Sequence, residues 1–269
     1  MRLRILIATS HRQMAGGVEV YVRSVIRGLG ERGHTLALLH EHPASPGTPT
    51  IDAQTPDIEH WCAAGDPDSA LRHADDWQPD VTYAQGLSSR RLERALARRF
   101  PTVLFAHVYF GTCATGTKRH AVPNIAMCTR RFGPACLVFN YVRRCGGLDP
   151  LTLARLYRRE ADRNRLLQEV RAVVVASTHM MSEFRRHGVP AERLHTIPLP
   201  TGLLTPDKDP PRPRPLSGRV LWLGRATDLK GCDQVIDALP EAATRLGRPL
   251  RLTVAGDGVV QTAVPVQLT

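Results

Sequence analysis

Two loops of this sequence carry residue types suited to holding a phosphate. Gly16-Gly17, followed by Val18 and Glu19, opens a helix-like apolar pattern. Paired glycines let backbone amides approach an anion, and the positive end of a helix favours negative charge there. A paired glycine is also a common tight turn, and Glu19 in a first helical turn can simply complement the helix dipole. The second loop, Gly224-Arg225 with Lys230 five residues on, joins a strand-like run to a helix-like one. Arginine offers a planar fork to phosphate oxygens and lysine a point charge, so the pair could grip a diphosphate and offset its charge as it leaves. Two solvated cations in a turn would look the same by spacing alone.

Four cysteines form a second chemical group. Cys113, Cys128, Cys136 and Cys145, with 14, 7 and 8 residues between them, lie in a segment rich in Gly, Pro and Arg. There is no Cys-x2-Cys knuckle, yet the segment has no obvious core of its own, so four thiolates could converge on one metal. Zinc is the default candidate and an iron–sulfur cluster the second. Reduced structural thiols and, less compatibly with a reducing compartment, disulfides fit the same residues. Cys62 and Cys232 read as lone core cysteines.

The elements that must position these groups alternate between strand and helix. Ile5 to Thr9 is a strand-sized apolar run, and Val18, Val22, Val25, Ile26 and Leu29 follow at helical spacing, with Gly33 as a stop. Thr35 to Leu39, Val81 to Tyr83, Val103 to Ala106 and Ala172 to Ala176 are further strands; helices are expected at about Ser89 to Arg99 and Thr178 to His187. Apolar strands that do not alternate, each followed by a helix, predict an α/β fold with a doubly wound parallel sheet. Pro206 to Pro215 is expected to be a semi-rigid linker, since proline lacks an amide donor and restricts its neighbour. The pattern then restarts: a strand at Val220 to Leu223, a helix carrying Val235, Ile236, Leu239, Ala243 and Leu246, and a strand at Leu250 to Ala255 running into Gly256-Asp257-Gly258. The division expected is 1–205 for an N-terminal Rossmann-like domain with a cysteine-rich insertion at 109–149, 206–217 for a linker, and 218–269 for the start of a second Rossmann-like domain. One βαβ unit falls short of the ~100 residues usual for a domain, so the second is expected to be truncated.

Composition narrows the partners. The chain has 36 basic and 25 acidic residues, a net charge of +11, and only 5% aromatics. A basic balance suits nucleotides, lipid phosphates and membrane surfaces, while the lack of interleaved basic and aromatic residues argues against nucleic acid. Arg155, Arg158, Arg159, Arg163 and Arg165 could present a cationic face to anionic lipid, although Glu160 and Asp162 interrupt it. The short apolar run at the start has no small-residue cleavage site after it, so a cytoplasmic location, peripheral at the inner membrane face at most, is expected.

The run Val220 to Arg225, then Lys230-Gly231, an apolar helix and Leu252 to Gly258, resembles the opening of the donor domain of family 4 glycosyltransferases. Gly16-Gly17-Val18-Glu19 is similar to that family's N-terminal loop. Val175-Ala176-Ser177, Gly188-Val189-Pro190 and Ile197 to Pro200 look like its inter-domain elements, and His107 stands after a strand where the family usually has a histidine. The resemblance implies the GT-B architecture, two Rossmann-like domains facing a cleft, with retention of anomeric configuration and no cofactor required for catalysis. It implies donor-diphosphate binding by Arg225 and Lys230, backbone contact to phosphate or acceptor at Gly16 and Gly17, and His107 close to the transferred sugar; a structural histidine at a strand end is the plainer alternative. A UDP- or GDP-linked sugar would supply a hexose to a glycan or lipid-linked acceptor. The family's pair of glutamates eight positions apart, which hold donor sugar and ribose, has no counterpart after Gly258. Catalysis is therefore expected to be impaired in this chain, and a non-catalytic acceptor- or partner-binding remnant is the alternative. Cys113, Gly116, Lys118 and Arg144-Cys145-Gly146-Gly147 also resemble a segment of some bacterial members.

Overall fold

A computed structural model describes residues 1–55, 57–199, 218–225 and 230–256, together with the backbone of 266–268. Two compact units divide the chain, 1–203 and 204–269. The expected proline-rich linker lies outside the described residues.

In the first unit the N-terminal apolar run becomes β1 (Arg4–His11), and the periodic segment after it α1 (Gly17–Glu31). There follow β2 (Thr35–His42), β3 (Glu59–Cys62), α2 (Pro67–Trp77), β4 (Val81–Ala84), α3 (Arg90–Arg99) and β5 (Thr102–Ala106). The cysteine-rich insertion forms a hairpin, β6 (Arg119–His120) with β7 (Ala126–Met127), and a helix, α4 (Ala135–Arg143). The chain returns through α5 (Pro150–Glu169) to β8 (Ala172–Val175), α6 (Thr178–Arg186) and β9 (Leu194–Thr196).

Seven of these strands make one sheet in the order β3-β2-β1-β4-β5-β8-β9, with every pairing parallel. Side-chain alternation along β1 divides the core. Ile5 and Ile7 pack with Tyr21, Val22 and Ile26 of α1, while Leu6 and Ala8 pack with Leu71 and Ala74 of α2 and Leu92 and Leu96 of α3. Burial on both faces is why these strands are apolar throughout rather than at alternate positions. Helix starts follow local chemistry: Asp66, Ser89, Asp149 and Ser177 each accept a bond from a backbone amide of the first turn, and Pro67 and Pro150 sit where a missing amide costs nothing.

The second unit contains β10 (Arg219–Leu223), α7 (Cys232–Leu246), β11 (Arg251–Ala255) and β12 (Val266–Leu268), a parallel sheet in the order β10-β11-β12. The third strand is a feature the sequence pattern does not announce. Gly224 and Gly256, at the carboxyl ends of β10 and β11, have φ of 154° and 140°. A Cβ on Gly256 would stand 1.9 Å from the Gly224 carbonyl oxygen, so the two strand ends meet backbone to backbone and only glycine fits.

Candidate functional site

In an open parallel sheet the strand order reverses at one point, here between β1 and β4, and the loops outside the carboxyl ends there form a natural ligand crevice. The loop after β1 leads to Gly16 and Gly17, both exposed. Gly16 is the N-cap of α1 and offers no side chain to the amides of the first turn. Glu19 folds back over this loop: it is buried, and its Oε2 lies 3.6 Å from where a Cβ would stand on Gly16. The backbone donors therefore share their space with a carboxylate, which suits a hydroxyl-bearing ligand better than a second anion.

His107 stands just past the end of β5. Its Nε2 is 2.8 Å from Oε1 of Gln85, which stands just past β4. Its ring packs on Phe105 and, edge-on, on Tyr21 of α1, so His107 and the start of α1 come together through one tyrosine. Burial lowers His107 to about 4, and the imidazole is neutral at pH 7. With its Nε2–H given to the Gln85 oxygen, it can accept from a sugar hydroxyl at Nδ1 but does not supply a cation. Gln85 is buried and lies against the Tyr83 hydroxyl, yet its amide nitrogen has no acceptor at hydrogen-bond geometry. The Tyr83 hydroxyl bonds to that of Tyr21, and burial pushes both phenols up.

Sequence reasoning passed over Gln85, Tyr21 and Tyr83, and also over Glu41 at the end of β2. Glu41 is buried and accepts from Ser10 Oγ and from the Ser88 and Ser89 amides, each at 2.6 Å, tying the ends of β1 and β2 to the start of α3. The signal for Gln85 and Glu41 was their place at the carboxyl end of an apolar run.

Arg163 corrects the expected cationic face. It is buried, pairs with Glu160 at 2.9 Å and Glu93 at 3.4 Å, donates to the Leu87 carbonyl and lies over the Phe110 ring. The helical period turns it inward, where two carboxylates hold it. Burial raises Glu93, and Arg163 opposes that rise.

In the second unit Arg225 and Lys230 are both exposed: Arg225 follows β10, and Lys230 precedes Gly231, the N-cap of α7. Residues 226–229 between them lie outside the described set. The four cysteines of the insertion line a single cavity. All are free thiols, and burial pushes Cys136 and Cys145 up, with the neighbouring thiols adding to it. Among the described residues no three His, Cys, Asp or Glu side chains stand close enough to hold one metal ion. No described helix is long and apolar enough to cross a membrane.

A family model described as the glycosyl transferase 4-like domain matches residues 16–200. Among solved structures, HepE from Anabaena in complex with UDP is similar at TM-score 0.53 and 15% identity, over 96% of this chain and 62% of that one. The lipopolysaccharide outer core galactosyltransferase WaaB, in its apo form, gives 0.51 and 12% over 95% and 61%. A glycosyltransferase from Rickettsia africae gives 0.51 and 13% over 96% and 61%. The likeness is one of fold, and the chain spans about three fifths of the length of these structures. No curated protein sequence matches it. With the family model covering well over half of the residues, and the parallel sheet of the GT-B glycosyltransferases beneath them, this chain belongs to the glycosyl transferase 4-like family.

Proposed function

We propose that the chain belongs to a nucleotide-sugar-dependent glycosyltransferase that moves a hexose from a UDP- or GDP-linked donor to a glycan or lipid-linked acceptor, with retention and without a catalytic metal. The observation that carries this reading is the neutral His107, fixed by Gln85 and Tyr21 at the carboxyl edge of the sheet beside the open start of α1. A histidine held uncharged, its one N–H given to the Gln85 oxygen through Nε2, accepts from a sugar hydroxyl at Nδ1 without binding a phosphate in the sugar's place. Gly16 and Gly17 then present amides to acceptor or donor, and Arg225 with Lys230 the positive charge that a departing diphosphate needs. Similarity to a structure holding UDP is consistent with such a donor.

The family resemblance places a pair of glutamates on donor sugar and ribose, and no glutamate follows Glu241 in this sequence. We propose that turnover by these residues alone is weak. The test is a thermal-shift scan of nucleotides and nucleotide sugars against this chain and against a form extended through a complete second domain. Stabilisation of the extended form by UDP or GDP is the expected result. Binding by neither form overturns the transferase reading and leaves the partner-binding alternative. Peripheral contact with an anionic membrane is proposed through Arg94 and Arg98, beside an open groove on α3; Arg90, Arg91 and Arg99 of that helix are paired with Asp162, Asp68 and Asp75.

A further inference from the structure

We propose that Cys113, Cys128, Cys136 and Cys145 form a site for a cubane iron–sulfur cluster held by four thiolates in the cavity that they jointly line. The inference is independent of the transferase reading. Four of the chain's six cysteines reach this one cavity from four different places: the turn after β5, the end of β7, the first turn of α4 and the turn beyond α4. Chance placement of structural thiols gives no reason for such convergence from positions far apart in sequence.

Size decides what the thiols could share. The cavity measures ≈ 250 Å³, whereas a water molecule needs only ~10–15 Å³ on the same measure. Among the described residues the side chains are not gathered at the spacing of a single ion. A tetrathiolate zinc site is closed around its metal, with each sulfur at ~2.3 Å. Thiols that ring a space instead of meeting at a point match a polynuclear cluster, which four cysteines also ligate.

Charge agrees. Four thiolates around a dipositive cubane leave two negative charges, and Arg119, Arg130 and Arg143 line the same cavity. Arg130 is fixed in place over the Phe139 ring, with its guanidinium carbon 3.7 Å from the centroid.

The frame is built to hold an opening of this kind. Lys118, buried at 5% exposure, pairs with Glu183 of α6 at 2.7 Å and donates to the Arg130 carbonyl. The Phe132 amide donates to His187 Nε2, and Arg186 donates to the Thr129 carbonyl, so the stretch between Cys128 and Cys136 is pinned to α6. At the other end the Cys145 amide bonds to the Asn140 carbonyl, and the Asn140 side chain to the Gly147 carbonyl. A segment with little apolar core thus has its cysteine backbones fixed by polar anchors. Loading from a small-molecule thiolate cluster needs no electron transfer: each protein thiol takes over one iron and passes its proton to the thiolate that leaves.

The experiment uses the full chain, produced and purified without oxygen, with iron, acid-labile sulfide and zinc measured and the Mössbauer spectrum recorded. About four irons and four sulfides per chain, in a cluster-type spectrum, are expected. Replacing Cys113 and Cys145 together by serine should lower iron at least tenfold, while Cys62→Ser keeps it. Should the double variant misfold, the wild-type chain stripped of metal is titrated with the thiolate-ligated synthetic cluster, and a stoichiometric end point in visible circular dichroism is expected. One zinc per chain, a mononuclear iron spectrum, or a chain that neither carries nor takes up the cluster would overturn the proposal.

Discussion

His107 shows how a single side chain acquires its chemistry from its surroundings. An exposed imidazole titrates near neutrality, whereas burial against Phe105 and Tyr21 takes this one down to about 4. Its value to a transferase would be a hydrogen bond of fixed direction, set by Gln85. Removing one buried hydrogen bond to a ligand costs ~1–3 kcal/mol, or roughly 5- to 150-fold in rate. In the form extended through a second domain, His107→Ala and Gln85→Ala are each expected to lower kcat/KM by about 10- to 100-fold, with the fold unchanged by circular dichroism. An unchanged kcat/KM in both variants would return His107 to a purely structural role. The histidine could be found in the sequence because it follows an apolar run and matches a family position. Gln85 also ends an apolar run, but no family position marks it, and its role depends on β4 pairing with β5, which is not written locally.

Elements were legible in proportion to their apolar signal. The strands buried on both faces and the helices with a full stripe, α1 and α7, stand where the periodicity put them. The misses have physical causes. β3 is an edge strand, Glu-His-Trp-Cys, exposed at all but Trp61, so Cys62 is an exposed thiol and not the core cysteine expected. α2 buries Leu71 and Trp77 with Ala70 and Ala74, whose small side chains thin the stripe. α4 is hidden because it buries an asparagine and turns its one thiol, Cys136, to the cavity, with no apolar stripe. Arg163 was misread for a related reason: helical period says which face a residue takes, but charge alone suggests solvent. In place, it links α5 to Glu93 of α3 and to the Leu87 carbonyl. Breaking a buried ion pair from one side leaves the other charge uncompensated, at about 3–5 kcal/mol. Arg163→Ala is therefore expected to cost that much in urea unfolding, against less than about 1 kcal/mol for the exposed Arg165→Ala. Equal losses in the two variants would refute the network's role.

For the molecule as a whole, acid should be a denaturant through its histidines. His40 and His107 are both lowered to about 4; burial is the first cause in each, and His40 also faces His60 and Arg12. Unfolded, both return to ~6.5. Above that value folded and unfolded chains are equally deprotonated at these sites and the native state keeps its full stability. As pH falls from ~6.5 towards 4 the unfolded state takes up protons first, and stability is lost. The thermal midpoint is expected to hold between pH 8 and 7 and to fall below 6.5, with a shallower fall in His40→Leu; matching slopes in variant and wild type would exclude His40 as a source. Among the described residues His40 Nε2 is buried without a partner, so leucine removes that cost together with the titrating group.

The sheet order carries a consequence for synthesis. β1 is made before the other strands of its sheet yet ends in the interior, flanked by β2 and β4. One of its edges can be satisfied once Thr35–His42 has appeared; the other stays bare until Val81–Ala84 follows. Throughout that interval the nascent chain displays an apolar strand with an open row of amides and carbonyls, the kind of surface that recruits chaperones or other chains. A strand paired on both sides in the finished sheet thus keeps one edge bare while residues 43–80 are being made.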